Sequence, residues 1–431
     1  MLKRKIESDL LAWKNQNGRK NALLIKGARQ VGKTFIVDKF GLESYKSFIR
    51  MNFEENKTLR EIFAGDLDIE TLRKQITLNI PNAELIPGET LIFLDEIQSC
   101  PNARTALKFI VDDGRYDVIA SGSLLGINYK EVSSYPTGYE DEVIMRSLDF
   151  EEYLWAIGIN PDGIAGIKGY FDSGKRIPEA MNNKMLAYLR EYIVIGGMPA
   201  VVAEFIETAD FNKALKRQRA IIANYLNDIA KYAEAAERVK ARACFLSMPR
   251  QLAKENKKFQ YKVVDKTGSA RKYDGSVMWL ADAGIVDVCN NLDTPEAPLS
   301  GNTKPGYFKL YMQDIGLLVA MLDDGTAKEI IDGNLGIYKG AIYENLIATI
   351  LAHNGKKLYY YAEGERFEVD FVTRIDREIF GIEVKSNRGK ATSLQVAMRE
   401  NPHLKGIKLE AGNIGEIGGV KTMPLYMAMF L

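Results

Sequence analysis

Residues 22–40, ALLIKGARQVGKTFIVDKF, carry the strongest chemical pattern in this chain of 431 residues. An apolar run leads into Gly-x-x-x-x-Gly-Lys-Thr, and apolar residues at helical spacing follow. Glycines let successive backbone N–H groups turn toward phosphate oxygens, helped by the positive end of the following helix. Lys33 is then expected to reach the β- and γ-phosphates of ATP, and Thr34 to hold Mg²⁺ through its hydroxyl. The predicted nucleotide loop consists of Gly27, Ala28, Arg29, Gln30, Val31, Gly32, Lys33 and Thr34.

Two further apolar runs end in polar residues that suit the same chemistry. In ETLIFLDEIQ the run ends at Asp95 and Glu96. A carboxylate at the carboxyl end of a buried parallel strand is placed to bind Mg²⁺, which is the role expected of Asp95. Glu96 is expected to polarise the attacking water as general base. YDVIAS ends at Ser121, whose hydroxyl would lie near the γ-phosphate if its strand lies beside that of Asp95; the alternative is an ordinary turn after a buried strand.

A second set of acids lies near the C-terminus, in FEVDFVTRIDREIFGIEVKSN, residues 367–387. Period-two alternation puts Glu383 and Lys385 on one face of a strand, and Asp370 lies on the neighbouring antiparallel strand. The two carboxylates of Asp370 and Glu383 would provide the oxygen ligands that Mg²⁺ prefers, and Glu344 from a preceding helix would complete the set of metal ligands. Lys385 would stabilise the charge on a phosphate. The alternative is a solvated hairpin face with an ion pair that contributes under about 1 kcal/mol.

The elements that must position these residues follow from periodicity. Parallel strands are expected before each nucleotide-site residue, and helices over most of 151–235, broken at the Gly-Gly-Met-Pro of 196–199. Residues 236–292 are typical of helix, turn, helix and strand, as in a winged helix, where Arg271 and Lys272 would contact nucleic-acid phosphates; such modules also bind protein. The Pro- and Gly-rich residues 290–306 predict a loop or boundary.

Composition limits the partners and the compartment. Lys plus Arg total 58 against 57 Asp plus Glu, so any nucleic-acid contact must come from a local patch, such as the Lys- and Arg-rich stretch 385–410. Two histidines exclude a His-rich zinc site, and three scattered cysteines suit a reducing cytoplasm. We expect no membrane span, because the longest apolar stretch, 192–205, is interrupted by glycine and proline. No Asn-Lys-x-Asp tetrad occurs, which favours ATP over GTP.

GARQVGKT, LIFLDEIQ and VIASGS together resemble the AAA+ P-loop ATPases of bacteria and archaea whose C-terminal half is a domain of unknown function. GGMPAVV, KLYMQDIGLL and YENLIA extend the resemblance over nearly the whole chain. Many relatives have Gly-Arg after the third strand, where this chain has Tyr139 after the glycine. The resemblance implies ATP hydrolysis. AAA+ ATPases usually work at subunit interfaces, and the missing Gly-Arg leaves open whether this chain forms an oligomer. Arg104 and Arg146 are the candidates for an arginine that acts on a neighbour's γ-phosphate.

The ordered set Glu344, Asp370, Glu383 and Lys385 is similar to the PD-(D/E)xK arrangement of restriction-endonuclease-like folds. The predicted fold is thus α/β, with an AAA+ parallel-sheet domain (1–155), a helical connector (156–235), a winged-helix-like segment (236–306) and a restriction-endonuclease-like domain (307–431). The predicted function is an ATPase whose nucleotide state gates a nuclease-like domain. The alternative keeps the ATPase and makes the C-terminal domain an inactive platform that binds protein or nucleic acid.

Overall fold

The computed structural model describes residues 2–123, 137–232, 235–254, 258–334, 339–364, 366–386 and 389–431. The chain forms two compact units, one made mainly of Lys3–Ser147 and the other of Leu148–Ala281 and Ile285–Leu431. Each unit is built around one β-sheet.

The first unit contains a five-stranded parallel sheet with the strand order β2-β3-β4-β1-β5. Its strands are β1 (Ala22–Gly27), β2 (Ser47–Asn52), β3 (Thr90–Asp95), β4 (Asp117–Ser123) and β5 (Glu140–Ile144). Every residue of β1 and β3 is buried, as expected for inner parallel strands covered on both faces. The helices are α1 (Ile6–Lys14), α2 (Lys33–Ser44), α3 (Ile69–Asn79) and α4 (Pro101–Asp113), with 3₁₀ turns at Lys57–Phe63 and Ile97–Ser99. This order places the carboxyl ends of β1, β3 and β4 side by side.

The second unit begins with a helical stretch, as the periodicity of 151–235 predicted. The helices of this stretch are α5 (Phe150–Ala156), α6 (Pro161–Ser173), α7 (Glu179–Ile195), α8 (Pro199–Thr208), α9 (Phe211–Tyr232), α10 (Ala235–Leu252), α11 (Tyr261–Val264) and α12 (Ala270–Asp282). Four further helices occur later in the described part of the chain: α13 (Ile315–Ala320), α14 (Thr326–Ile331), α15 (Lys339–His353) and α16 (Thr392–Glu400). Within the described residues no single helix has the length and apolar character to cross a bilayer, although α7 and α8, bent by 118° at their junction, meet that test as a pair.

The turn between α7 and α8 explains two of the sequence motifs. Gly196 has φ 71°, and a Cβ on Gly197 would lie 1.9 Å from the carbonyl oxygen of Leu148. The backbone N–H of Gly197 donates to the buried carboxylate of Asp314, which also accepts from Leu317 N–H at the start of α13. GGMP and MQDIGLL therefore form one packed junction in which glycine permits a close backbone approach.

The second sheet has eight strands in the order β12-β13-β11-β10-β9-β8-β6-β7. They are β6 (Val286–Leu292), β7 (Thr303–Met312), β8 (Tyr359–Glu363), β9 (Phe367–Ile375), β10 (Glu378–Lys385), β11 (Leu404–Glu410), β12 (Gly415–Ile417) and β13 (Val420–Pro424), with 3₁₀ turns at Leu299–Asn302 and Leu425–Phe430. Strands β8, β9 and β10 form an antiparallel meander between α15 and α16, and β11 then pairs with β10 in parallel. The two antiparallel strands predicted to carry Asp370 and Glu383 are therefore present, as β9 and β10.

The prediction of a loop over 290–306 is wrong at both ends. Strand β6 continues to Leu292, and β7 begins at Thr303, with Leu292 and Thr303 paired across the ladder. Pro305 lies within β7. A proline is tolerated there because β7 is at the edge of the described sheet, where one side of the strand has no neighbour. Strand β7 spans the position of the predicted boundary at 306/307. All of the domain boundaries stay predictions.

Candidate nucleotide and cation sites

The predicted nucleotide loop joins β1 to α2 in a conformation that needs its glycines. A Cβ on Gly27 would lie 2.2 Å from the carbonyl oxygen of Met145, and Gly32 has φ 94°. Gln30 is also left-handed, with φ 67°. A side chain at Gly27 would clash with the backbone, and one at Gly32 would strain it, so the conformation of the loop requires glycine at both positions. The loop ends at the positive N-terminus of α2, where a phosphate is favoured.

Lys33 is folded back onto this loop. Its ammonium donates to the carbonyl oxygens of Gly27 at 3.1 Å and Ala28 at 2.9 Å. Burial lowers the pKa of Lys33 to about 8, although the charges of Glu96 and Asp95 oppose the decrease. A cation held in a poorly solvated place is ready to exchange carbonyl partners for phosphate oxygens.

Asp95 is the centre of the polar site, and it is 1% exposed. Its carboxylate accepts from the hydroxyl of Thr34 at 3.0 Å and from the hydroxyl of Ser121 at 2.5 Å. Strand β4 lies beside β3, which is the arrangement required for the Ser121 hydroxyl to lie near Asp95. Carboxylate and hydroxyl oxygens are the ligands that Mg²⁺ prefers, and the donor set therefore fits that ion.

Glu96 follows Asp95 in a left-handed conformation, with φ 53° and ψ 45°. Such a backbone is costly for a non-glycine residue and is concentrated at functional sites. Its carboxylate accepts from the side-chain amide of the buried Gln98 at 2.5 Å. The side chain of the predicted base is thus held at the edge of the nucleotide site.

Several neighbours of these residues are absent from the sequence-based prediction. Asn52 is paired with Asp95 in the β2–β3 ladder and donates its side-chain amide to that carboxylate at 2.7 Å. Arg50 lies 3.5 Å from the same carboxylate. Arg4 donates to the carbonyl oxygen of Val31 within the loop. Asn52 is the last residue of β2, as Asp95 is of β3, and that shared position at the carboxyl end of a parallel strand is the signal that would have found it.

The two candidate arginines have partners inside the first unit. Arg104 is 5% exposed and makes an ion pair with Glu140 at 2.6 Å. The backbone carbonyl of Arg146 accepts from Arg4. Arg104 would have to leave a buried ion pair to reach a neighbouring subunit, so these contacts give its predicted role no support.

The low pKa of Lys33 predicts a pH dependence of ATP binding. Above about pH 8 the free protein loses a proton from Lys33 that the complex keeps, because ionised phosphates favour the ammonium. Binding then takes up a proton, and affinity should fall by up to about tenfold per pH unit in this range. Calorimetric titration with ATP from about pH 7 to about pH 9.5 measures the slope.

Lys33→Arg provides the matched control, because a guanidinium stays charged throughout this range. Its affinity should be nearly independent of pH, whatever its absolute value. A wild-type affinity as flat as that of Lys33→Arg would contradict the prediction.

In the second unit, the β9–β10 ladder pairs Phe371 with Ile382, and continuing this register by one residue puts Asp370 opposite Glu383. Side chains opposite each other in an antiparallel pair share a face and are neighbours. The Asp370 carboxylate accepts from Val384 N–H at 2.8 Å. That of Glu383 accepts from Leu394 N–H at 2.9 Å, at the positive start of α16.

Lys385 and Glu344 belong to the same constellation. The ammonium of Lys385 lies 2.5 Å from a carboxylate oxygen of Glu383. Burial lowers the pKa of Lys385, but its hydrogen bond to Glu383 and the charges of Glu383, Asp370 and Glu344 outweigh burial and raise the pKa above its ordinary value. Lys385 is therefore an ammonium at neutral pH, suited to stabilising negative charge.

Glu344 is 2% exposed and accepts from the hydroxyl of Tyr311 at 3.1 Å. The ammonium of Lys309 lies 3.8 Å from the same carboxylate oxygen. Across the described part of the chain, no three Asp, Glu, His or Cys side chains converge as a ready metal cluster. A cation at this site would thus rely on Asp370 and Glu383 together with non-protein ligands, an arrangement that Mg²⁺ accepts.

Several of the predicted phosphate-contacting lysines already have acidic partners. Lys272 pairs with Asp265, Lys405 with Glu378 and Lys408 with Glu410. Arg388 lies outside the described residues. These ion pairs weaken the case for a strongly basic surface in either segment.

Comparison with known families agrees with the geometry of the first unit. Residues 19–154 match the model of an AAA domain, and this range contains the loop, Asp95, Glu96 and Ser121. Residues 186–328 match domain of unknown function DUF8612, and residues 339–414 match domain of unknown function DUF4143. The AAA match supports a P-loop ATPase in the first unit.

Individual relatives are distant. Uncharacterized protein MJ1544 of Methanocaldococcus jannaschii is 25% identical over 369 residues, which is 81% of this chain and 71% of that protein. The Walker-type ATPase PABY2304 of Pyrococcus abyssi is 13% identical with a TM-score of 0.44, over 74% of this chain and 96% of that one. The Aeropyrum pernix Orc1 protein, solved in complex with DNA, is 12% identical, with a TM-score of 0.28. The match covers 77% of this chain and 92% of the Orc1 chain. These two TM-scores are too low to carry a conclusion about partners.

Proposed function

We propose that the first unit binds and hydrolyses Mg²⁺-ATP. The observation that carries this proposal is the convergence of Thr34 and Ser121 on the buried carboxylate of Asp95, beside the loop that holds Lys33. Thr34 and Asp95 would hold the Mg²⁺, which neutralises phosphate charge when bound. Lys33 orients the β- and γ-phosphates, and Glu96 accepts a proton from the attacking water.

We propose further that the second unit contains a restriction-endonuclease-like domain. Its support is topological, because α15, the meander β8-β9-β10, α16 and the parallel strand β11 follow in the order helix, three strands, helix, strand. This order brings the acids of β9 and β10 onto one face, with Glu344 of α15 contributing to the charge around Lys385. The fold alone does not imply cleavage, which depends on the site.

The chemistry proposed at that site is hydrolysis of a nucleic-acid phosphodiester. Asp370 and Glu383 would hold one divalent cation, Mg²⁺ or Mn²⁺, which supplies Lewis-acid activation of water. Lys385, kept as an ammonium by the acids around it, stabilises the charge that develops on the phosphate. Backbone N–H groups of Val384 and Leu394 fix the orientations of the two carboxylates.

The nucleic-acid partner of this proposal is supported by the segment before the nuclease-like domain. Helices α10, α11 and α12 followed by the antiparallel pair β6–β7 have the helix and strand order of a winged helix. From the order of the domains along the chain, we propose that ATP binding and hydrolysis gate access to the C-terminal site. Three free, buried cysteines suit the cytoplasmic location that we propose.

A second candidate function keeps the ATPase and makes the C-terminal domain a binding platform. It is favoured by the carboxylate arrangement, in which no three acids of the described residues form a metal cluster and Lys309 lies beside Glu344. The two functions separate in Asp370→Ala. A nuclease loses cleavage in this variant, whereas a platform binds its partner as wild type does.

A further inference from the structure

Gln98, in the segment LIFLDEIQ, is a buried glutamine to which the sequence-based prediction gave no role. The residue is 6% exposed, and its side-chain amide donates through Nε2 to the carboxylate of Glu96 at 2.5 Å. It lies in the 3₁₀ turn Ile97–Ser99, which begins directly after the left-handed Glu96. A backbone hydrogen bond of 2.9 Å from Ser99 N–H to the carbonyl of Glu96 closes this turn. Gln98 is therefore held in a fixed place beside the proposed general base.

The other polar atom of this side chain has no partner among the described residues. The carbonyl oxygen Oε1 of Gln98 is shielded from solvent and accepts no hydrogen bond from any of them. Buried polar atoms are nearly always hydrogen-bonded, and an amide oxygen can accept two hydrogen bonds. An acceptor buried in this way is suited to a donor that is bound in the site together with the nucleotide.

The donor that fits this place is a water molecule. Oε1 and Nε2 belong to one planar amide, so Oε1 lies close to the carboxylate that Nε2 contacts. A water molecule that donates at about 2.8 Å to each of two acceptors can bridge Gln98 and Glu96. Glu96 in turn follows Asp95, whose carboxylate accepts from Thr34 and Ser121 at the proposed Mg²⁺-ATP site.

We propose that Gln98 orients the attacking water of ATP hydrolysis by accepting one of its hydrogen bonds at Oε1. In this step the water oxygen forms a bond to the γ-phosphorus, and the other proton of the water goes to Glu96. The bond between the γ-phosphorus and the bridging oxygen breaks, and its electron pair leaves with ADP. Positioning of the nucleophile is a main contribution of a protein to phosphoryl transfer. The inference rests on the proposed ATP hydrolysis and adds a second residue to it.

Gln98→Met removes the acceptor and keeps most of the length of the side chain. Its kcat for ATP hydrolysis is expected to fall by about 10- to 100-fold, which corresponds to one hydrogen bond to a group that gains charge. KM and equilibrium ATP binding should stay at wild-type values, because the loop and the Asp95 cluster are held by other contacts. Gln16→Met, at an exposed glutamine of the same unit, is the matched control and should behave as wild type.

Two nucleotide complexes separate a water-orienting role from a merely structural one. ADP with beryllium fluoride mimics bound ATP, whereas ADP with aluminium fluoride mimics the transition state together with the attacking water. Gln98→Met should bind the first as wild type does and the second about 10- to 100-fold more weakly. Equal weakening of both complexes would show that Gln98 only supports the structure of the site, and wild-type affinity for both would show that it does not contact the water. Either result would overturn the inference.

A second route to slow turnover exists, in which Gln98 acts only by holding Glu96. The double variant Glu96→Gln/Gln98→Met distinguishes the two routes. If Gln98 holds the water itself, the double variant binds ADP with aluminium fluoride about 10- to 100-fold more weakly than Glu96→Gln alone. If Gln98 acts only through Glu96, the two variants bind this complex equally, and the inference is wrong.

Failure of the inference differs from failure of the proposed function. If wild type and Glu96→Gln turn over ATP as predicted while Gln98→Met keeps the wild-type rate, ATP hydrolysis stands and the role of Gln98 is overturned. If wild type hydrolyses no ATP, the proposed function fails and the inference fails with it. Gln98→Leu repeats the comparison if the thermal midpoint shows that Gln98→Met does not fold. If neither variant folded, Gln98 would be a structural residue and the inference would be wrong.

Discussion

ATP turnover by Glu96→Gln is expected to fall by about 10²- to 10⁴-fold, the range associated with loss of a general base, while ATP binding is retained. The amide has the shape of the carboxylate and can still accept from Gln98, but it cannot take a proton from water. The loop and the Asp95 cluster do not depend on this side chain for their contacts. Steady-state phosphate release and equilibrium ATP binding measure the two quantities separately.

Glu61→Gln is the matched control, because Glu61 is an exposed glutamate of the same unit. Its turnover should equal that of wild type. Turnover by Glu96→Gln at the rate of this control would show that Glu96 is not the base. Loss of ATP binding in Glu96→Gln would show instead that it is a ligand-binding or structural residue.

Lys385→Met is expected to lower phosphodiester cleavage by about 10²- to 10³-fold, as removal of a charge-stabilising donor does in other enzymes. The ammonium of Lys385 is held against Glu383 at the edge of the proposed cation site, and its side chain is 33% exposed, so it can reach a bound phosphate. Methionine keeps most of the length of the side chain without its charge. Cleavage rates at saturating Mn²⁺ measure the loss.

Lys357→Met is a suitable control, because Lys357 is an exposed lysine of the same unit that lies before β8 and outside the 385–410 stretch. Binding of Mn²⁺ should persist in Lys385→Met, since the two carboxylates remain. If both variants cleaved at the wild-type rate, Lys385 would have no part in the reaction.

The nucleotide site was predictable because its residues lie either in one contiguous loop or directly after an apolar run of the sequence. Lys33 and Thr34 belong to a contiguous loop. Asp95 and Ser121 each follow an apolar run, and the parallel pairing of these runs as β3 and β4 brings the two side chains together. The meander carrying Asp370, Glu383 and Lys385 was predictable for a similar reason, since alternation fixes which side chains share a face.

Other features depend on contacts that no local pattern contains. Lys309 meets Glu344 and Glu368 only because β7, α15 and β9 come together in the folded sheet. Within a strand, a lysine ordinarily indicates a solvated position, so its burial could not be read from the sequence. Pro305 was read as part of a loop because its tolerance in β7 depends on that strand lying at an edge.

If an ATP site controls a metal-dependent phosphodiesterase site, the purified chain should cleave nucleic acid in a reaction that depends on both sites. Single- and double-stranded DNA and RNA are incubated with Mg²⁺ or Mn²⁺, with and without ATP, beside Asp370→Ala and Lys33→Ala. We expect cleavage that is lost in Asp370→Ala and that responds to ATP in wild type but not in Lys33→Ala. Intact ATP turnover with no cleavage of any substrate under either metal would contradict it and leave the C-terminal domain as a binding platform.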